Sequence, residues 1–211
     1  MRTGLGLRAG KGGAVAVGLG IEQGEPRLLV STFLKTHEDG DSLSLEPYRV
    51  AAEMAANGQG ITSDVAAAVA EGRRRQDAHA ADSLQHLLDG LADAKCGQVV
   101  AGLLVNRAGW VTDLLAYSLA FADHGPVAEG LAVREALRVA FGRCGIEAIE
   151  LDEKSLADSA PALLGRSKAE IDGTLKALGA VAGKPWRKEQ KLACLAAWVA
   201  AAGPDQGAGP A

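Results

Sequence analysis

Aromatic residues are scarce in this chain: three Trp, two Tyr and three Phe make up 4 % of 211 residues. Apolar residues reach 48 %, so a substantial core is available, but Ala, Leu and Val have to build it. Cysteine is rare too. Cys96, Cys144 and Cys194 lie far apart, with none of the paired spacings of a zinc site. Their apolar neighbours mark them as small buried hydrophobes of a reducing compartment. No apolar run approaches the ~20 residues that span a bilayer, and no basic stretch followed by an apolar one opens the chain as a signal peptide does. The expected location is the cytoplasm. Nor is there an excess of basic charge. Against 22 Lys and Arg stand 26 Asp and Glu, a net charge of −4, which removes a global electrostatic reason to bind nucleic acid or an anionic membrane and leaves only a local basic patch.

What the chain does have is glycine in the right places. Met1 to Leu34 holds three runs of β-compatible residues separated by Gly10–Gly13 and by Gln23–Pro26, the spacing of an antiparallel three-strand meander. His37–Ser42 is an acidic loop. Leu45–Asn57 reads as a helix with Pro47 in its first turn. Ile61–Lys95 is the longest helical stretch, its apolar stripe resuming at Leu84, Leu87, Leu88 and Leu91, and Gly72 divides it into two helices or leaves it as one. Gln98–Asn106 is apolar on both faces, as a central parallel strand is.

Helices are predicted next over Val111–Ala122 and Val127–Cys144, then a strand over Ile146–Leu151 and a helix carrying Leu156, Leu163 and Leu164. Ser167 and Glu170 have the spacing of a capping box for a helix to about Leu178. The last helix, Trp186–Ala202, turns Leu192, Leu195, Ala196 and Val199 inward. One domain over residues 1–202 is expected, and residues 203–211 read as a disordered tail.

Leu5-Gly-Leu-Arg-Ala-Gly-Lys-Gly-Gly-Ala-Val-Ala-Val17 resembles the opening of ribonuclease-H-like proteins, most nearly their Holliday-junction-resolvase branch, and the actin-like sugar kinases open similarly. The element order agrees over most of the chain. The resemblance implies an α/β fold: a mixed five-stranded sheet, strands 1–3 antiparallel and strands 4–5 parallel, with helices on both faces. In the nuclease branch an aspartate ending strand one helps hold divalent metals, and Arg8 stands at that position here. The acid that ends strand four is matched by Asn106. Of the acids on the last helix only Glu189 remains, among Arg187, Lys188 and Lys191. Two metal ions about 4 Å apart need several carboxylates, so the resemblance implies that two-metal nuclease chemistry is lost.

The residues themselves offer a different chemistry. Arg8, Lys11, Asn106 and Arg107 would gather at one end of the sheet, and two guanidiniums with an amide suit a phosphate or carboxylate. The bland reading makes Gly10–Gly13 a hairpin turn, pairs Arg8 with a nearby acid and has Asn106 cap a turn. His124 and Glu129 form a conceivable acid–base pair, or else a turn histidine and a carboxylate at the positive end of its own helix. Arg73–Arg75 reads as a solvated helical face, as do His79, Asp82 and His86. Trp110 and Trp186 line a pocket or close the core. The expectation is a catalytically degenerate ribonuclease-H-like binding or scaffold module, leaning away from an enzyme, with no cofactor and no metal. A homodimer is compatible with it, and nucleic acid is compatible but disfavoured by the acidic balance. The alternative is an enzyme or nucleotide-binding protein acting on a phosphorylated small ligand at the strand 1/strand 4 end.

Overall fold

A computed structural model describes residues 2–58, 60, 62–93, 97–106, 111–120 and 125–203. The readings made above at Cys96, Arg107, Trp110, His124 and residues 204–211 lie outside the described residues. The meander forms as β1 (Arg2–Gly10), β2 (Gly13–Glu22) and β3 (Glu25–Lys35). Two-residue loops join them: Gly10 faces Gly13 and Glu22 faces Glu25 across the antiparallel ladders. Gln23 and Gly24 both take positive φ, 53° and 83°, the backbone that matches a hairpin loop to the strand twist. After a helical layer comes β4 (Val99–Val105), parallel to β1, and later β5 (Glu147–Asp152), parallel to β4. The sheet order is β3-β2-β1-β4-β5, a mixed five-stranded sheet with helices on both faces.

On one face lie α3 (Ser63–Asp93) and α5 (Gly125–Cys144), with α1 (Ser42–Leu45), α2 (Pro47–Asn57) and α4 (Leu114–Ala120) packed around them. The other face is covered by α6 (Leu156–Leu164), α7 (Lys168–Ala182) and α8 (Lys188–Ala202). Alternation along β1 divides the two. Leu5 and Leu7 enter the core on the α3/α5 side, whereas Gly4, Gly6 and Arg8 face α8. A Cβ on Gly4 would lie 1.9 Å from the Ala197 carbonyl oxygen, and one on Gly6 1.8 Å from that of Ala193. The two contacts run in opposite senses along strand and helix, so α8 begins at the end of the sheet where β1 finishes.

Several boundaries differ from the expectation. The helix expected over Leu45–Asn57 starts at Pro47, and Leu45 instead ends the short α1, because Glu46 precedes a proline and sits at φ −143°, ψ 64°, outside the helical region. Gly72 does not break α3, which runs unbroken for 31 residues. A Cβ there would meet the Leu43 carbonyl at 2.6 Å and Pro47 Cβ at 2.7 Å, so the glycine serves the seating of α1 and α2. α4 starts at Leu114 rather than Val111, since the Asp113 carboxylate accepts the N–H groups of Leu115 and Ala116 as an N-cap. The Ser167–Glu170 capping box forms. Cys194 is buried, with its thiol pushed up to about 12 by burial, and Cys144 donates to the Ala81 carbonyl. Among the described residues no helix is long and apolar enough to cross a membrane.

Candidate functional site at the ends of the parallel strands

The last turns of β1, β4 and β5 finish at one end of the sheet, where open α/β sheets place their ligands. Arg8 points there from the α8 face of β1. Its Nε and Nη2 both donate to Glu153 Oε1, at 3.0 and 2.9 Å. Glu153 is brought in by the end of β5, where its backbone N–H bonds to the Val105 carbonyl at 2.8 Å. Asn106, just past β4, accepts from Arg134 Nη2 at 3.1 Å through Oδ1. Lys11 turns away. Its ammonium pairs with Glu46 at 2.7 Å, while the turn is held by His37 Nδ1 on the Gly12 carbonyl at 2.8 Å. Burial raises the Glu46 carboxyl, but the bonds from Lys11 and Arg49 outweigh it and hold it below the ordinary value. Thus Arg8, Lys11 and Asn106 are engaged by three different partners, each from another element.

Glu189 lies in the first turn of α8 and is half-buried. Around it the charge is basic: residues 154–203 carry eight Lys and Arg against four Asp and Glu, and residues 1–153 fourteen against twenty-one. A groove of about 340 Å³ among α6, α7 and α8 is lined by Ile171 and Leu175 and by four cations, Lys168, Arg187, Lys188 and Lys191, against the single acid Asp172. Elsewhere the cations are mostly spent. Arg74 and Arg75 chelate Glu71, and Arg75 also holds Asp41. Arg73 donates to the Tyr48 hydroxyl. Trp186 is half-buried and packs against the core: its ring fills the space a Cβ on Gly179 would need, at 2.3 Å.

Glu129 is the largest departure from the sequence reading. It sits beyond the first turn of α5, which begins at Gly125, and only 1 % of it is exposed. Its Oε1 accepts the backbone N–H groups of Tyr48 and Arg49 at 2.9 and 3.0 Å, so it caps α2 rather than its own helix. Burial pushes its carboxyl up to about 7 against the pull of those two N–H groups. The trace of this in the sequence is indirect: α2 opens Glu46-Pro47, and Glu46 makes no side-chain cap of its own, so the helix draws its cap from outside. Glu153 and Arg134 carry no comparable local mark.

No family model and no curated protein matches the chain. Solved structures do. T. thermophilus RuvC in complex with Holliday junction substrate superposes with a TM-score of 0.52 at 10 % identity, over 94 % of this chain and 92 % of that one. A second Thermus thermophilus RuvC structure matches at 0.48 and 15 %, over 93 % and 92 %. The sheet order and the helical layers are those of a ribonuclease-H-like fold. At such identity the likeness is one of fold alone.

Proposed function

We propose that this chain is a ribonuclease-H-like module that works by binding and has given up two-metal hydrolysis. The observation that carries the reading is Arg8, fixed by Glu153 at the end of β1, with the amide of Asn106 ending the neighbouring β4. A pair of divalent ions there needs several carboxylates to neutralise it. The residues present do not fit: a guanidinium brings positive charge to the place, it already occupies Glu153, and the Asn106 oxygen is held by a second arginine. Among the described residues no three His, Cys, Asp or Glu side chains are grouped to hold a metal ion.

The surface that favours an anionic macromolecule is the basic α6–α8 layer, and the junction-bound RuvC makes a nucleic-acid backbone the first partner to try. The test is incubation of the purified chain with branched and single-stranded DNA in Mg²⁺ or Mn²⁺. We expect no cleavage, and retention that weakens steeply with salt. Metal-dependent cleavage that Glu189→Gln abolishes would sink the reading; salt-independent or absent retention would remove DNA as the partner.

A further inference from the structure

A second site stands on the opposite side of the sheet and does not depend on that reading. Along α5, Leu131, Arg134, Glu135 and Arg138 share one face and border a cleft of about 510 Å³ at the ends of β4 and β5, within the size range of small-molecule sites. Its apolar walls are Val105, Val111, Leu114 and Leu131. Arg134 lines it too, 7 % exposed, with its Nε buried and without a hydrogen-bond partner among the described residues.

A buried guanidinium without a direct ion pair is costly, and among the described residues Arg134 makes none. Glu135, Glu150 and Glu153 lie close enough to act on it through space but are bonded elsewhere. Glu135 and Glu150 are both taken by Arg138, and Glu153 by Arg8. The one bond Arg134 makes is to a neutral amide oxygen, that of Asn106, which leaves the two amide N–H donors of Asn106 without a partner among the described residues. Of the charged groups that line the cleft, Glu135 and Glu150 offset Arg134 and Arg138, so its surroundings are near neutral. A dianion would be repelled by the two glutamates, while a single carboxylate adds one charge at the arginine that makes no ion pair. A planar carboxylate matches the fork of guanidinium N–H groups, and the walls suit an aliphatic or aryl body. We infer that the cleft between β4, β5, α4 and α5 binds a small apolar monocarboxylate, its head on Arg134 and Asn106 and its body against Leu114 and Leu131.

The test is calorimetric titration of the full chain with acetate, butyrate, hexanoate and octanoate, with inorganic phosphate as the comparison anion. Saturable binding is expected, tightening with chain length and exceeding that of phosphate. Arg134→Met should weaken octanoate by about tenfold or more, and Leu131→Trp, which narrows the cleft and leaves the arginine in place, should weaken it as well. If Arg134→Met fails to fold, Leu131→Trp with Asn106→Leu decides. No saturable carboxylate binding in the millimolar range would overturn the inference, as would octanoate affinity unchanged in these variants. Phosphate binding more tightly than every carboxylate would overturn the ligand class.

Discussion

The two faces of this sheet are built on opposite rules. On the α8 face, Gly4, Gly6 and Gly102 let the helix backbone rest on the strands, and Ala193 to Ala201 is buried without a break. That face is dry. Among the described residues, the buried polar and charged side chains are Thr3, Thr36, Ser44, Gln76, Ser118, Glu129 and Arg134, and none comes from α6, α7 or α8. The α3/α5 face holds its helices farther off with Leu5, Leu7 and Leu103 and accommodates a carboxylate, a guanidinium and an amide in the space. Close backbone contact tolerates no adjustment, whereas side-chain packing leaves room for polar groups. Close backbone packing belongs to one face and buried polar side chains to the other.

The sharpest way to break this comparison is to force a side chain into the dry face. Gly6→Val would drive carbon into the Ala193 carbonyl and the Ala197 nitrogen, both backbone atoms of α8, which cannot swing aside as a flexible side chain can. Overpacking of this kind should cost upwards of about 4 kcal/mol and lower the urea midpoint accordingly. Gly10→Ala, four residues along the same strand, meets nothing within 4 Å and should change stability by less than about 0.5 kcal/mol. Equal midpoints for the two would mean that α8 is not seated on the strands.

How much of this contrast was legible in the sequence depends on reach. The meander was, because Gly10–Gly13 and Gln23–Gly24 dictate loops locally; so was β4, whose run from Val99 to Val105 is apolar on both faces. The capping box of Ser167 and Glu170 was readable over three residues. The alternation of glycine with leucine in Gly4-Leu5-Gly6-Leu7 was visible as a strand, but its purpose was not, since the alanines it meets, Ala197 and Ala193, lie in the last helix at the other end of the chain. The same limit hid the ends of the charged side chains. Arg8 finds Glu153 across 145 residues, Glu129 caps a helix 81 residues earlier, and the bond from Arg134 to Asn106 spans 28. Local spacing assigned Glu129 to its own helix dipole, because the nearest helix start is the only one a sequence shows.

The polar face should also answer to pH where the dry one does not. The Glu129 carboxyl titrates near 7 in the fold and near 4.5 when unfolded. Between those values the folded chain holds the proton more tightly than the unfolded one, so stability falls as pH rises from about 4.5 to about 7 and stays reduced above it. The full loss is about 3 kcal/mol. Glu129→Gln keeps the oxygen that accepts from Tyr48 and Arg49 and removes the charge, so the share of the pH dependence that Glu129 causes should vanish across this window. At pH 8 the variant should exceed the wild type by about 2–3 kcal/mol, and near pH 4.5 the two should converge. Glu71, lowered to about 2 mainly by its hydrogen bonds from Arg74 and Arg75, titrates below this range, and Asp77, raised by burial, is common to both proteins and cancels in the difference. Parallel pH profiles for the two proteins would show that the carboxylate is solvated after all.

The smallest effect asks whether the polar face is a network or a gap. Gln76 is fully buried on α3, in line with Ala80 and Leu84, and neither its oxygen nor its nitrogen has a partner among the described residues. An unpaired buried amide costs roughly 1–3 kcal/mol. Leu has nearly the same volume and no polar atoms, so Gln76→Leu should raise stability by about 1 kcal/mol, read as a higher urea midpoint at unchanged slope. A fall of that size would mean instead that the amide is satisfied inside the protein, by water held between α3 and α5, since a satisfied group is lost at a penalty and an orphaned one at a gain. The dry face admits no such question: every atom that α8 lays on Gly4 and Gly6 is already in contact, and the only change available there is a clash.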